Sequence, residues 1–185
     1  MSFTSPVWEY TLPVDQRIID FTYSHTEPGT NWISNAIDGK RRHLELMKYE
    51  CFQEFAKNIE SVIRKKLFLL QPVKEYELSL TALWLNLNWG ADVSIQRSHI
   101  HYPHIAGSFY LLAPENCGDL MIHNPHQDTS TGPWSNTFKS MHTSKFYTPK
   151  PGGGVIFPSW TPHQVLSNTS GMDRLSMSFG FKIEE

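Results

Sequence analysis

The sequence predicts a mainly β chain, a β-sandwich or jelly-roll barrel with an N-terminal helical buttress. Short strand-like runs fill the second half, each closed by turn residues: Asn88-Trp89-Gly90, Ala113-Pro114-Glu115-Asn116-Cys117-Gly118, Lys150-Pro151-Gly152-Gly153-Gly154 and Asn168-Thr169-Ser170-Gly171. No helical period runs among them, and punctuated strands without intervening helices are the sequence pattern of sandwiches and barrels. The first half instead holds one stretch whose apolar residues recur at helical spacing.

That stretch runs from about Arg42 to Leu70. Leu44, Met47, Cys51, Phe55, Ile59, Val62 and Ile63 recur at three- and four-residue steps, with Glu45, Glu50, Lys57, Glu60 and Arg64 between them. Such a stripe is an amphipathic helix whose apolar face packs on another element, here the sheet. After Gln71-Pro72 the period changes to two: Ser79, Thr81, Leu83, Leu85 and Leu87 alternate with Leu80, Ala82, Trp84, Asn86 and Asn88. Strands begin there and continue to the C-terminus. The exception is 124–149, a long polar run rich in Ser, Thr and His, which reads as a functional loop or lid. We therefore expect a single domain over 1–185, with a strand and helix elaboration at 1–75 and the β core at 76–185.

A chain of 185 residues with 39% hydrophobic content can bury one sizeable core. Its net charge of −2 leaves no basic excess for a polyanion, so a nucleic-acid partner is not expected. The run Lys40-Arg41-Arg42-His43 reads as a solvated helix entry. Cys51 and Cys117 lack paired spacing and read as buried thiols in a reducing compartment. Met1-Ser2-Phe3-Thr4 shows no basic and apolar leader, and no run reaches the roughly 18 apolar residues of a membrane span. The expected location is the cytoplasm of the producing or host cell, with no membrane partner. An exposed edge of the buttressed sheet would support a homodimer.

The chemistry lies in three places. On a strand, residues i and i+2 share a face, so His99 and His101 project together while Ile100 points away. Two imidazoles on one face can chelate. His163 is the third ligand in this reading, because it follows the Gly-led apolar run Gly154-Val155-Ile156-Phe157-Pro158, which carries it to a barrel rim. Imidazole suits iron, zinc, copper or nickel, and the ligands alone leave the metal open. Arg174 begins eleven residues beyond His163, on the final run Leu175, Met177, Phe179, Phe181, so that Arg174 and Ser176 share the opposite face. A guanidinium can hold a carboxylate bidentately while a hydroxyl beside it donates to the same anion.

Taken in order, these residues resemble the Fe(II)/2-oxoglutarate-dependent oxygenases, and within them a bacterial and phage branch. The resemblance covers about half the chain. It rests on Trp84 to Gly90, His99 and His101, Gly107-Ser108-Phe109-Tyr110-Leu111, Pro151 to Trp160, His163-Gln164-Val165 and Arg174-Leu175-Ser176. It implies a double-stranded β-helix, the cupin-like jelly roll, with Fe(II) and 2-oxoglutarate as cofactor and co-substrate and O2 as oxidant. It further implies that His99 and His163 ligate the metal, and that Arg174 and Ser176 bind the distal carboxylate of 2-oxoglutarate. Asn88 and Tyr110 stand where related enzymes place polar residues near the co-substrate. The implied reaction couples decarboxylation of 2-oxoglutarate to succinate with oxidation, usually hydroxylation, of a further substrate.

Two departures from the pattern matter. Most members of the superfamily carry Asp or Glu where His101 stands, so either the centre is three-histidine or a carboxylate such as Asp119 or Asp128 joins it; His101 is the favoured ligand. The branch also carries Asp-Pro-Arg where this chain has Asn124-Pro125-His126. His123, His126 and His142 would reach substrate if the loop closes, and His104 is out of phase with the ligand pair. Trp84, Trp89, Trp134 and Trp160 read either as an apolar substrate wall or as barrel packing. The alternative readings are a cupin-like metalloenzyme that uses no keto acid and a non-catalytic metal-binding barrel.

Overall fold

The structure is a computed structural model and describes residues 5–29, 32–33, 43–90, 96–102, 104–124 and 144–185, without the side chains of 32, 33, 43 and 44. Lys40 to Arg42, most of the 124–149 loop, His126, Asp128, Trp134 and His142 lie outside the described residues. In chain order the elements are β1 (Trp8–Thr11), α1 (Gln16–Ser24), β2 (Trp32–Ile33), α2 (His43–Leu46), α3 (Glu50–Phe68), β3 (Glu77–Asn88), β4 (Gln96–His99), β5 (Ile105–Leu112), β6 (Leu120–His123), β7 (Ser144–Tyr147), β8 (Gly153–Pro158), β9 (His163–Val165) and β10 (Arg174–Glu184).

The strands form a six-stranded sheet, ordered β1-β8-β5-β10-β3-β2, and a four-stranded sheet, ordered β4-β9-β6-β7. Every pairing between them is antiparallel. This is the jelly-roll, double-stranded β-helix architecture that the sequence predicts. Among the described residues no helix is long and apolar enough to cross a membrane.

Strand alternation splits the larger sheet into two unlike faces. Leu83, Leu85 and Leu87 of β3, Leu175, Met177 and Phe179 of β10, and Phe109 and Leu111 of β5 are buried in one core with Phe52, Phe55, Ile59 and Ile63 of α3. Phe55 lies 5.3 Å from Phe109 and 6.3 Å from Phe179, ring centre to ring centre. Area removed from water on this face is the main stabilising term of the fold. The alternate residues face the smaller sheet, where Ala106, Leu120, Ile122, Tyr147, Val155 and Phe157 make a second, smaller apolar cluster.

The helix read across 42–70 is two helices. Lys48 N–H donates to the Glu45 carbonyl at 3.1 Å and Tyr49 N–H to that of Leu46 at 3.0 Å, closing α2 in tight turns. Tyr49 is extended, with φ −104° and ψ 135°, and its ring meets Phe21 of α1 edge-on at 4.8 Å. Packing on α1 thus interrupts a period that the sequence carries straight through. Helix α1 itself has only a short stripe, Ile18, Ile19 and Thr22, behind an Asp15 cap whose carboxylate accepts the Arg17 N–H at 2.9 Å. Cys51 and Cys117 are buried free thiols, and burial pushes the pKa of each up.

Candidate metal centre and anion cavity

Strand β4 ends at His99, whose register partner is His163 at the start of β9. His101 lies just past the strand, so strand alternation is not what brings it to His99. Its backbone N–H donates to the Ser159 carbonyl at 2.8 Å, and Ser159 N–H donates to His104 O at 2.9 Å. These bonds tie the segment after β4 to the Phe157-to-His163 turn and so hold the three imidazoles together. Ring centres are 4.7 Å apart for His99 and His101, 4.4 Å for His99 and His163, and 4.9 Å for His101 and His163. One ring nitrogen from each lies within 4.8 Å of the others.

The protonation state suits ligation. His99 Nδ1 lies 2.8 Å from the Arg97 carbonyl and His163 Nδ1 lies 2.9 Å from that of Thr161. A carbonyl only accepts, so each Nδ1 carries a proton and each Nε2 is the ring nitrogen left to face a metal. Burial, together with the charge on His99, lowers His101 to about 4. Burial also lowers His163 to about 4, helped by His99, His101 and His123 and opposed by the Thr161 carbonyl. Both are neutral at physiological pH. Trp84 meets His101 edge-on at 5.4 Å, and Phe157 packs against His163 at 4.6 Å.

Arg174 stands at the head of β10, opposite Asn88 in register, and is only 5% exposed. Its Nη1 donates to the carbonyls of Cys117 at 2.6 Å and Leu166 at 3.2 Å, with that of Gly118 at 3.4 Å, and its Nη2 donates to Asn88 Oδ1 at 2.8 Å. Gly118 makes this cradle possible. It has φ +92°, and a Cβ there would lie 2.2 Å from the Leu166 carbonyl oxygen. Arg174, Ser176, Asn88 and Tyr110 line the same cavity of about 260 Å3 as His99, His101 and His163. Burial raises the Tyr110 phenol, with Cys117 and Asp119 adding to the rise and Arg174 opposing it.

The sequence profile of the family described as "Putative 2OG-Fe(II) oxygenase" matches residues 82–180, from within β3 to within β10. The chain belongs to this 2-oxoglutarate, Fe(II) oxygenase family. Among solved structures, a Pseudomonas putida prolyl-4-hydroxylase is similar over 98% of this chain and 94% of its own, with TM-score 0.55 and 15% identity, a likeness of fold. EvdO2 from Micromonospora carbonacea var. aurantiaca is similar over 84% and 66%, with TM-score 0.49 and 14% identity. A 2OG-Fe(II) family oxidoreductase from Burkholderia pseudomallei is similar over 60% and 47%, with TM-score 0.46 and 11% identity. The chain spans about half the length of several such structures. No curated protein sequence matches it.

For a member of the 2OG-Fe(II) oxygenases, the residues present fit the groups that the family uses. Three imidazoles that each turn a ring nitrogen toward the others suit Fe(II), and a buried guanidinium in the same cavity suits a dicarboxylate. Among the described residues the metal-competent cluster is His99, His101 and His163, and Asp119 is not part of it. His104 turns away: its Nδ1 accepts the Ile183 N–H at 2.9 Å, tying it to β10. His123 Nδ1 lies 3.1 Å from Ser144 Oγ on β7. Trp160 is 57% exposed, and Trp89 packs on the helix-side core. Gln96, Asn86, Ser108 and Ser178 also line the cavity and were not singled out from sequence. For the last three, the alternation that turns Asn88, Tyr110 and Ser176 inward was the available signal.

Proposed function

We propose that this protein is an Fe(II)- and 2-oxoglutarate-dependent oxygenase, a hydroxylase in the common form of that reaction. His99, His101 and His163 hold the metal. Arg174 with Ser176 takes the distal carboxylate of 2-oxoglutarate, and Asn88 and Tyr110 complete that end. The observation that carries this reading is one cavity lined both by three clustered imidazoles and by a buried arginine. When bound, Fe(II) and 2-oxoglutarate supply the oxidising power: decarboxylation to succinate and CO2, with transfer of oxygen from O2 to a further substrate. The chain's own residues bind, orient and exclude water. The Arg97 and Thr161 carbonyls hold two ligand rings in the ligating tautomer. The Cys117, Gly118 and Leu166 carbonyls with Asn88 Oδ1 fix the guanidinium so that little ordering remains when the anion arrives. A three-histidine set leaves the centre one unit more positive than a set with a carboxylate. The reading also takes 1–185 as one domain, cytoplasmic, with O2 and 2-oxoglutarate as partners and homodimerisation open to a sizing measurement.

The test is anaerobic titration of the protein with Fe(II), with and without 2-oxoglutarate, watching the visible charge-transfer band of a chelated keto acid. The band is expected in the wild type and lost in Arg174→Ala, which still binds metal. Metal binding without any band would favour a cupin-like metalloenzyme or a non-catalytic metal-binding barrel.

A further inference from the structure

The inner face of the larger sheet is ordered in rows. Asn86, Ser176 and Tyr110 lie abreast across β3, β10 and β5, and Trp84, Ser178 and Ser108 lie abreast in the next row. Arg174 and Asn88 form the row on the other side of the first. Successive rows on one face are about 7 Å apart along a strand. Because Trp84 touches His101 edge-on at 5.4 Å, the row of Ser178 and Ser108 is level with the imidazole cluster. Arg174 stands two rows away, at the far end of the same cavity.

The polar groups near that metal-level row are linked. Asn86 Nδ2 donates to Ser178 Oγ at 3.1 Å, and Ser178 Oγ lies 3.5 Å from Ser108 Oγ. The amide occupies an acceptor position on Ser178, which leaves the hydroxyl protons for each other and for the cavity that all three residues line. A chain of donors ending in a cavity beside a cation site fits an oxygen-rich, anionic group. Neutral hydroxyls there can hold such a group without adding a cation to compete with the metal.

We infer that Ser108 and Ser178 bind the 2-oxo acid head of 2-oxoglutarate, the end opposite to that taken by Arg174, and that Asn86 acts through Ser178 as a positioning residue. The inference rests on the co-substrate reading above. The two ends of the co-substrate are then recognised by chemically different devices, hydroxyls at the head and a guanidinium at the tail.

The experiment is anaerobic titration of the Fe(II)-loaded protein with 2-oxoglutarate and with 2-oxobutyrate, which keeps the head but lacks the distal carboxylate. The charge-transfer band reports affinity, and iron binding and melting temperature are measured beside it. Ser178→Ala is expected to weaken both keto acids by about tenfold, the loss of one hydrogen bond to a charged oxygen, with iron affinity unchanged. Ser108→Ala should do the same, and Arg174→Ala should weaken 2-oxoglutarate alone. If both serine variants bind 2-oxobutyrate as the wild type does, the inference is overturned while the Arg174 result stands. If Arg174→Ala fails to separate the two keto acids, the underlying reading fails instead. Should Ser178→Ala lose iron or melt, Ser108→Ala decides by the same titration.

Discussion

The two faces of the larger sheet are built from the same strands, and on β3 and β10 their chemistry is opposite. On β10, Leu175, Met177 and Phe179 point to the helices and are fully buried, while Arg174, Ser176 and Ser178 point to the cavity. On β3, Leu83, Leu85 and Leu87 oppose Trp84, Asn86 and Asn88 in the same way. Because strand side chains alternate with period two, one backbone register fixes both sets at once. A one-residue slip would put Arg174 into the helix-side core and leucines into the cavity. The apolar face therefore guards the site, which it meets at Leu87.

The largest effect should come from breaking the apolar face. Phe179 is fully buried, 6.3 Å from Phe55 and 6.1 Å from Phe181 between ring centres. Phe179→Ala should cost about 3–5 kcal/mol of folding stability, read as a lower denaturant midpoint. The fraction that remains folded should keep wild-type affinity for Fe(II) and for 2-oxoglutarate. Arg174→Ala should show the reverse pattern, with the keto acid lost before the fold. If Phe179→Ala instead abolishes keto-acid binding in protein that is still folded, the faces are not separable.

Protons sharpen the comparison, because Leu, Met and Phe exchange none while the cavity imidazoles do. In the folded, metal-free protein His101 and His163 are held at about 4, against about 6.5 for an unfolded histidine. A lowered folded pKa means that the unfolded chain binds the extra proton first. Their contribution is thus fully present above about pH 6.5 and declines as pH falls toward 4. Urea unfolding of the metal-free protein at pH 7 and at pH 5 should show that loss, and His163→Gln should make it shallower. Equal steepness in the variant would remove His163 from this account.

How much of this was legible in the sequence follows from the same alternation. The period-two pattern of β3 and β10 was readable because each face is chemically uniform, apolar against polar, over several residues. That was enough to place Arg174 with Ser176. The helical stripe was readable too, but the break at Tyr49 was not, because it depends on Phe21, which is remote in sequence. His101 illustrates the same limit. Its spacing from His99 suggested a shared strand face, yet it reaches the cluster through the Ser159 carbonyl, a contact between distant segments that no local pattern encodes. The Gly118 cradle under Arg174 likewise joins three stretches, 116–119, 166–167 and 174. Serines such as Ser108 and Ser178 are too common in sequence to stand out before their rows are known.

Trp84 breaks the pattern on β3, a large apolar side chain beside Asn86 and Asn88 on that strand's cavity face. Its place is explained by His101, whose ring it meets edge-on at 61° and 5.4 Å. If that contact orients the imidazole, Trp84→Phe should retain most of it, because a smaller ring can still present an edge or face. Aromatic pairs of this kind contribute about 0.5–1.5 kcal/mol beyond their buried area, so a several-fold fall in Fe(II) affinity is the expected ceiling. Trp84→Ala should exceed it, because the imidazole loses its packing partner altogether. Metal titrations of the two variants check the order. Equal affinity in wild type, Phe and Ala proteins would mean that Trp84 only fills the cavity wall, and that His101 is held by the Ser159 carbonyl alone.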